Sequence, residues 1–345
     1  MKLLALFLCI LYLPVSVSAL EIEPPRVPDA GRSWMPDNTE SLWDGCMEVF
    51  QKAVTGLRPD IQEASRVSLG ILAAVLLVSL LQSFSGSAKK TAETAGAVAI
   101  SAMLLLSTNS MIRLGSDTVR EIGDYGKLLL PVMTTALAAQ GGITSSGALY
   151  AGTALFTAVL QSIMGSLLIP GIYLYLALSA GSYATGEDLL KKAGDMLKGF
   201  LSWSLKMLLI IFTTYLSLTR VVSGTTDAAA LKATKVGMAS FIPVVGGILS
   251  DASEAVLVSA GLLKNAAGIY GILAVLALFL HPFLQIGLHY LILKLTAAIC
   301  AVFGSSPMTG IIECFSSAMG LLLAMTGAAC VMVLISTVCF MKGVG

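Results

Sequence analysis

Apolar runs without charged residues dominate the chain from residue 67 onward. Three uncharged stretches, at residues 128–186, 265–293 and 314–341, each exceed the roughly 20 residues that a membrane-spanning helix needs. Within 128–186, proline and glycine residues divide the run into three segments, one of which is interpreted as either a span or a re-entrant segment. The predicted spans therefore number about eight. They are drawn from 67–85, 95–112, 128–145, 148–168, 170–186, 200–219, 266–283, 286–304 and 317–341.

Two further segments have the spacing of amphipathic helices. Residues 41–57 carry a stripe of apolar side chains that Gly56 and Pro59 bring to an end. A membrane surface or a partner protein could cover this stripe, and packing on the protein's own helices is the favoured interpretation. Residues 187–198 place charged side chains opposite apolar ones, which is typical of an interfacial helix. The predicted fold class is an all-α, polytopic membrane protein.

One short apolar run, residues 241–249, does not fit this scheme of helices. Nine residues are too few to cross a membrane as a helix. We interpret the run as a hydrophobic or re-entrant loop, in which glycine permits close backbone approach. The residues predicted to form this functional loop are Phe241, Pro243, Gly246, Gly247 and Asp251.

The N-terminal residues predict an exported segment. Lys2, an apolar run over residues 3–15 and small side chains up to Ala19 match a signal peptide over residues 1–19, with a retained anchor as the alternative. Either reading places residues 20–66, an extended acidic leader followed by the amphipathic helix, outside the cytoplasm. Lys89 and Lys90 then follow the first span on the cytoplasmic side, as the positive-inside rule favours. Residues 67–345 form the membrane domain.

Composition agrees with this picture. Hydrophobic residues make up 56% of the 345-residue chain and charged residues 12%, about half the share expected of a soluble domain. The composition therefore excludes a water-soluble enzyme. The net charge of +1 provides no basic field for nucleic acid, so no nucleic-acid partner is predicted.

Candidate chemistry is sparse in the membrane domain. Lys294 lies within an apolar segment where a charge is costly, which predicts a polar path that includes Glu313 as a pairing partner. Snorkelling of the lysine, or a displaced span, is the alternative. His281 and His289 lack the HExxH pattern of a zinc protease and are interpreted as interfacial or core residues. No catalytic residue, metal or cofactor is predicted, and the protein is not expected to be an enzyme.

The segment around the predicted loop resembles a known family. Phe241-Ile-Pro-Val-Val-Gly-Gly247, followed by Leu249-Ser-Asp251 and then Leu263-Lys-Asn265, is similar to the stage III sporulation protein AE family. The resemblance extends across the chain after the predicted signal peptide. The predicted signal peptide and polytopic layout agree with it.

The resemblance implies a role in endospore formation. It implies a subunit of the secretion-like channel complex between mother cell and forespore, in the mother-cell membrane that surrounds the forespore. The implied partners are other stage III sporulation A-operon proteins, the forespore stage II protein Q and membrane lipid. No catalytic residues are implied. The alternative is an independent secondary transporter for a small solute, which would need ionisable groups at broken helices.

Overall fold

The computed structural model describes residues 25–37, 41–84, 89–241, 246–303 and 306–342. These residues form helices joined by short connections and contain no strand, which confirms the all-α fold class. In chain order the helices are α1 (Asp29–Arg32), α2 (Leu42–Gly56), α3 (Arg58–Phe84), α4 (Lys89–Ala139), α5 (Ile143–Ile163), α6 (Ile169–Thr185), α7 (Asp188–Phe241), α8 (Gly246–Phe303) and α9 (Ser306–Met341). The predicted signal peptide lies outside the described residues.

Six helical stretches of the described residues are long and apolar enough to cross a membrane, rather than about eight. They are Arg58–Ser83, Thr91–Ala139, Ile143–Thr185, Asp188–Thr219, Ala260–Val302 and Pro307–Met341. The difference arises because three pairs of predicted spans merge. A five-residue π-helical segment, Met164–Leu168, joins α5 to α6, and α8 continues through Pro282. Neighbouring helices make such interruptions tolerable.

The predicted spans 95–112 and 128–145 imply a polar connection at the surface over residues 113–127, but no break in the helix separates the two spans. The stretch forms the middle turns of α4, a single helix of 51 residues. Five of its six charged side chains recur every three or four residues on one exposed face, and the sixth, Glu121, is half-buried. The five are Arg113, Asp117, Arg120, Asp124 and Lys127. The opposite face is buried and includes Ile112, Val119 and Ile122. Charges therefore mark a helix face here, not a turn.

The long helices pack side by side into one bundle, with α9 in the centre. Helix α9 contacts α4, α5, α6, α7 and α8, and buries Phe315, Leu322 and Met325 completely. At one end of the bundle, Gly310 on α9 lies against Tyr183 on α6. At the other end, Gly268 on α8 lies against Met341. We call these the Lys89 end and the Ala139 end, after the first and last residues of α4.

The N-terminal segment packs along α8. The leader was predicted to be extended before residue 41, but it contains the one-turn helix α1, and Gly31 contacts Leu278. Ser41 then begins α2 by accepting a hydrogen bond from Asp44 N at 3.5 Å.

The packing of α2 differs from the favoured interpretation, in which its apolar stripe packs on the protein's own helices. The small residues Gly45 and Ala53, together with Val49, pack on the bundle. Much of the predicted apolar stripe faces outward instead: Leu42, Trp43, Met47, Phe50 and Val54 are exposed. The second predicted amphipathic helix, residues 187–198, is not separate. Residues 188–198 are the first turns of α7.

A carboxylate from α7 holds the start of α5. The backbone N–H groups of Thr144 and Ser145 donate to Asp227 Oδ1 at 3.0 Å and Oδ2 at 2.7 Å. The N-cap residue Gly142 has no side chain to accept these bonds, so Asp227 replaces a local cap. Burial opposes ionisation of Asp227, which is 2% exposed. The hydrogen bonds from Ser145 and Thr144 outweigh burial and lower the pKa of this carboxyl.

Replacing Asp227 with alanine is expected to reduce the free energy of unfolding at neutral pH by about 1–2 kcal/mol, because two buried N–H groups lose their acceptor. A lowered folded pKa means that the stabilisation is complete above the unfolded value of about 3.9 and is lost as the pH falls through the folded value. Thermal unfolding of the purified protein at neutral pH and at about pH 3 measures both effects.

Asp117→Ala is the matched control, because Asp117 is an exposed carboxylate on the surface of α4. Equal unfolding temperatures for the two variants at neutral pH would contradict the role of Asp227 as a cap.

Candidate functional site

The predicted functional loop lies where α7 meets α8. Phe241 is the last residue of α7, and Gly246 and Gly247 are the first residues of α8. Asp251 follows within the first turns of α8, and Pro243 lies outside the described residues. Residues 246–249 are therefore helical, and the prediction of a non-helical run is wrong for them. A functional role for this segment stays a prediction.

Lys294 and Glu313, the residues of the predicted polar path, both line one cavity, and a polar path through it stays a prediction. The cavity has a volume of about 650 Å³ and lies between α7, α8 and α9. Two further lysines, Lys198 and Lys206 on α7, also line it. Its other lining residues include Ser202, Leu205, Leu209, Tyr290, Ala297, Ser316, Ser317, Leu321 and Ala324. The cavity opens to the outside of the bundle, where Lys206, Lys294 and Glu313 are exposed.

Hydrogen bonds within and between the helices position two of the lysines. Lys198 Nζ donates to Ser317 Oγ at 3.0 Å, which joins α7 to α9. Lys294 Nζ donates to Tyr290 OH at 3.3 Å and lies 5.5 Å from the centre of the Tyr290 ring. Ser316 Oγ donates to the Tyr290 carbonyl oxygen at 3.3 Å, which fixes α9 against α8.

The predicted direct pair between Lys294 and Glu313 is not formed. Within the described part of the chain, none of the ion pairs involves Lys294, Glu313, Lys198 or Lys206. Three lysines and one glutamate give the cavity a formal charge of +2. The excess of ammonium groups makes the cavity suited to an anion.

A second polar cluster, which the sequence analysis missed, joins the N-terminal segment to α8. Asp60 at the start of α3 is 8% exposed. Its Oδ1 accepts a hydrogen bond from Gln285 Nε2 at 2.7 Å, and its Oδ2 lies 3.4 Å from His281 Nε2. The His281 ring stacks on Trp34, with ring centres 4.2 Å apart. Three segments far apart in the sequence therefore meet at Asp60.

The described residues do not include a set of side chains that could bind a metal ion. No group of three or more histidine, cysteine, aspartate or glutamate side chains there could hold a metal ion. The cavity and the Asp60 cluster are instead sites of hydrogen bonding and charge.

Comparison with known proteins identifies the family. The model of the family described as "Stage III sporulation protein AE" matches residues 41–343. The chain belongs to this family. A curated member, stage III sporulation protein AE of Bacillus subtilis (strain 168), is 24% identical over 245 residues, which is 70% of this chain and 61% of the relative. The aligned region thus covers less than two thirds of the relative's length. No solved structure matches the chain.

Family membership supports two coarse statements about function. The chain has a role in sporulation, as the resemblance around residues 241–265 implied. It is also a multi-pass membrane protein, since six apolar helical stretches among the described residues are long enough to span a bilayer.

Replacing Asp60 with alanine is expected to destabilise the protein by about 1–3 kcal/mol, because Gln285 and His281 lose a buried partner. The N-terminal segment should also loosen, since the stack of Trp34 on His281 depends on the position of His281. Thermal unfolding measures the first effect, and the rate of trypsin cleavage after the exposed Arg32 measures the second.

Glu63→Ala provides the control, because Glu63 is an exposed carboxylate on the next turn of the same helix. If Asp60→Ala leaves both the unfolding temperature and the cleavage rate at the Glu63→Ala values, the cluster does not hold the N-terminal segment.

Proposed function

We propose that the chain is a membrane subunit of the sporulation channel complex between mother cell and forespore, acting as a channel or scaffold component. The observation that carries this proposal is the length of the bundle. A bundle that is much longer than a bilayer is thick reaches beyond the membrane, as a component of an assembly that crosses two membranes must.

The contacts of α4 define that length. Gly96 lies against Val78 of α3 near the Lys89 end, and Gln140, just after α4, contacts Gly261 of α8 near the Ala139 end. At about 1.5 Å per residue, this part of the chain extends about 65 Å. A tilt of about 40°, the upper limit for membrane helices, would still leave about 50 Å along the membrane normal. The hydrocarbon core is about 30 Å thick.

The charged face of α4 suggests where the membrane ends. Residues 94–112 are uncharged and about 28 Å long, which matches the hydrocarbon core. The exposed charges then begin at Arg113, level with the start of α3 and the Asp60 cluster. With Lys89 and Lys90 in the cytoplasm, the Ala139 end would stand on the extracytoplasmic side, together with α1 and α2.

The surface of the Ala139 end remains apolar although it would lie outside the membrane. Exposed side chains there include Ile143 and Leu155 on α5, which are 72% and 60% exposed, and Leu218 on α7 at 61%. A large exposed apolar surface in water marks a protein contact. Other subunits would therefore cover it, and the implied candidates are other stage III sporulation A-operon proteins, with the forespore stage II protein Q beyond them.

The alternative, an independent transporter of a small solute, draws support from the charged cavity. Ionisable side chains within membrane helices mark solute paths in many transporters. The two functions differ in their need for partners, and the experiments below separate them.

A photoreactive residue at Leu155 is expected to cross-link to another subunit in sporulating cells, because the proposed complex covers this surface. The same residue at Leu77 on α3 is the control. Leu77 is similarly exposed, at 62%, but lies in the apolar segment of α3 that faces lipid in this arrangement. Mass spectrometry of the adducts identifies the partner, and the Leu155 adduct should be several-fold more abundant.

Equal cross-linking at the two positions, or adducts with lipid at both, would overturn the channel-complex proposal. Solute uptake into vesicles that contain this chain without partners would then favour the transporter.

In intact cells that express the protein without sporulating, a cysteine placed at Arg120 in an otherwise cysteine-free variant should react with a membrane-impermeant maleimide, because Arg120 lies on the exposed charged face of α4. A cysteine at Lys191, an exposed position near the Lys89 end, should react only after permeabilisation. Labelling of both residues from the same side would contradict the proposed orientation of the bundle.

A further inference from the structure

The cavity between α7, α8 and α9 has a charge that the protein leaves without a counterion. Its three lysines form no ion pair with any residue that the structure describes, and Glu313 is its one acidic lining residue. Lys198 lies 10 residues after the first residue of α7, about 15 Å along the helix and so near the middle of the proposed hydrocarbon layer. An ammonium group at that depth is costly in hydrocarbon. A bound anion would remove much of this cost.

The lining of the cavity offers hydrogen-bond donors suited to phosphate. Lys198 and Lys294 are held by hydroxyl groups of Ser317 and Tyr290 rather than by carboxylates. Each ammonium group has three donors, so both keep donors for a ligand. A phosphate group presents several strong acceptor oxygens that such a set of amines and hydroxyls can satisfy together.

Much of the remaining lining is apolar, which indicates what carries the phosphate. Leu205, Leu209, Ala297, Leu321 and Ala324 border the same cavity. A volume of about 650 Å³ lies within the range of small-molecule sites and holds a head group with the first part of an acyl chain. Basic pockets between membrane helices on the cytoplasmic side commonly bind anionic lipid head groups.

We propose that this cavity binds a phosphate group through Lys198, Lys206 and Lys294. The phosphate comes from the head group of an anionic phospholipid or from a free phosphate ester of similar size. The apolar border favours the phospholipid, whose acyl chains would lie along α7 and α9. This site is a property of the single chain and does not depend on the proposed channel complex.

Native mass spectrometry of the purified full chain, with phosphatidylglycerol or phosphatidylcholine added to the detergent, tests the proposal. The unaltered protein should retain phosphatidylglycerol at least about tenfold more strongly, because loss of charge-assisted hydrogen bonds typically costs this much affinity. The Lys206→Gln/Lys294→Gln double variant should lose this preference. Lys294→Arg, which keeps the charge, should retain it.

The matched control is Lys191→Gln/Lys192→Gln, which removes two exposed lysines of the same helix that do not line the cavity. This variant should bind phosphatidylglycerol like the unaltered protein. If the double cavity variant does not purify as a folded protein, Lys206→Gln alone tests the site, because Lys206 is exposed and its replacement leaves the bonds of Lys198 and Lys294 in place.

Competition with glycerol 3-phosphate distinguishes the two sources of phosphate. Displacement of the lipid at millimolar concentration supports recognition of the phosphate ester itself, and failure to displace it supports a phospholipid site. Equal retention of the two lipids by the unaltered protein would overturn the proposal. So would equal loss of phosphatidylglycerol from the cavity and control variants. Either result would leave the cross-linking test of the channel complex unaffected.

Discussion

The burial of α9 is the constraint on which the rest of the structure depends. Apart from Glu313 near its start, this helix is uncharged over its whole length, and fully buried residues such as Phe315, Leu322 and Phe340 occur from one end to the other. Lipid can cover a helix that is apolar all round only within a bilayer, and elsewhere other helices must cover it. Helices α4 to α8 therefore surround α9 and follow its length, which makes the bundle long and its members nearly continuous.

Much of the architecture could be predicted because membrane helices must satisfy their backbone hydrogen bonds internally. Long uncharged runs therefore predicted helices correctly. The number of spans was less predictable. Hydropathy is averaged over a window of the chain, and the average does not record on which face of a helix each side chain lies. Arg113, Asp117, Arg120, Asp124 and Lys127 look like a polar connection when averaged. Their three- and four-residue spacing, with Ile122 and Tyr125 buried between them, instead indicates one face of a helix.

The candidate site was partly predictable for a related reason. Lys294 and Glu313 are conspicuous because each interrupts an apolar segment, and both line the cavity. Lys198 and Lys206 gave a weaker signal. Lys198 lies in a charged segment, and Lys206 lies within two turns of the start of its predicted span. Only the packing of α7 on α8 and α9 places all four in one cavity. Asp60, Gln285 and Trp34 could not be associated from sequence, because tertiary contacts alone bring them together.

The two ends of the bundle expose different kinds of side chain and so require different surroundings. This difference connects the fold to function. In the Lys89 half of the bundle the cavity leaves ammonium groups on an exposed surface, where an anion or water must compensate them. Near the Ala139 end many exposed side chains are apolar, and α5 is held there by Asp227 rather than by a cap of its own. Lipid can cover an apolar surface only within the thickness of a bilayer. A bundle of about 65 Å therefore leaves apolar surface for protein partners whichever end the membrane surrounds. A stand-alone carrier has no such requirement, whereas a subunit of a trans-envelope assembly does.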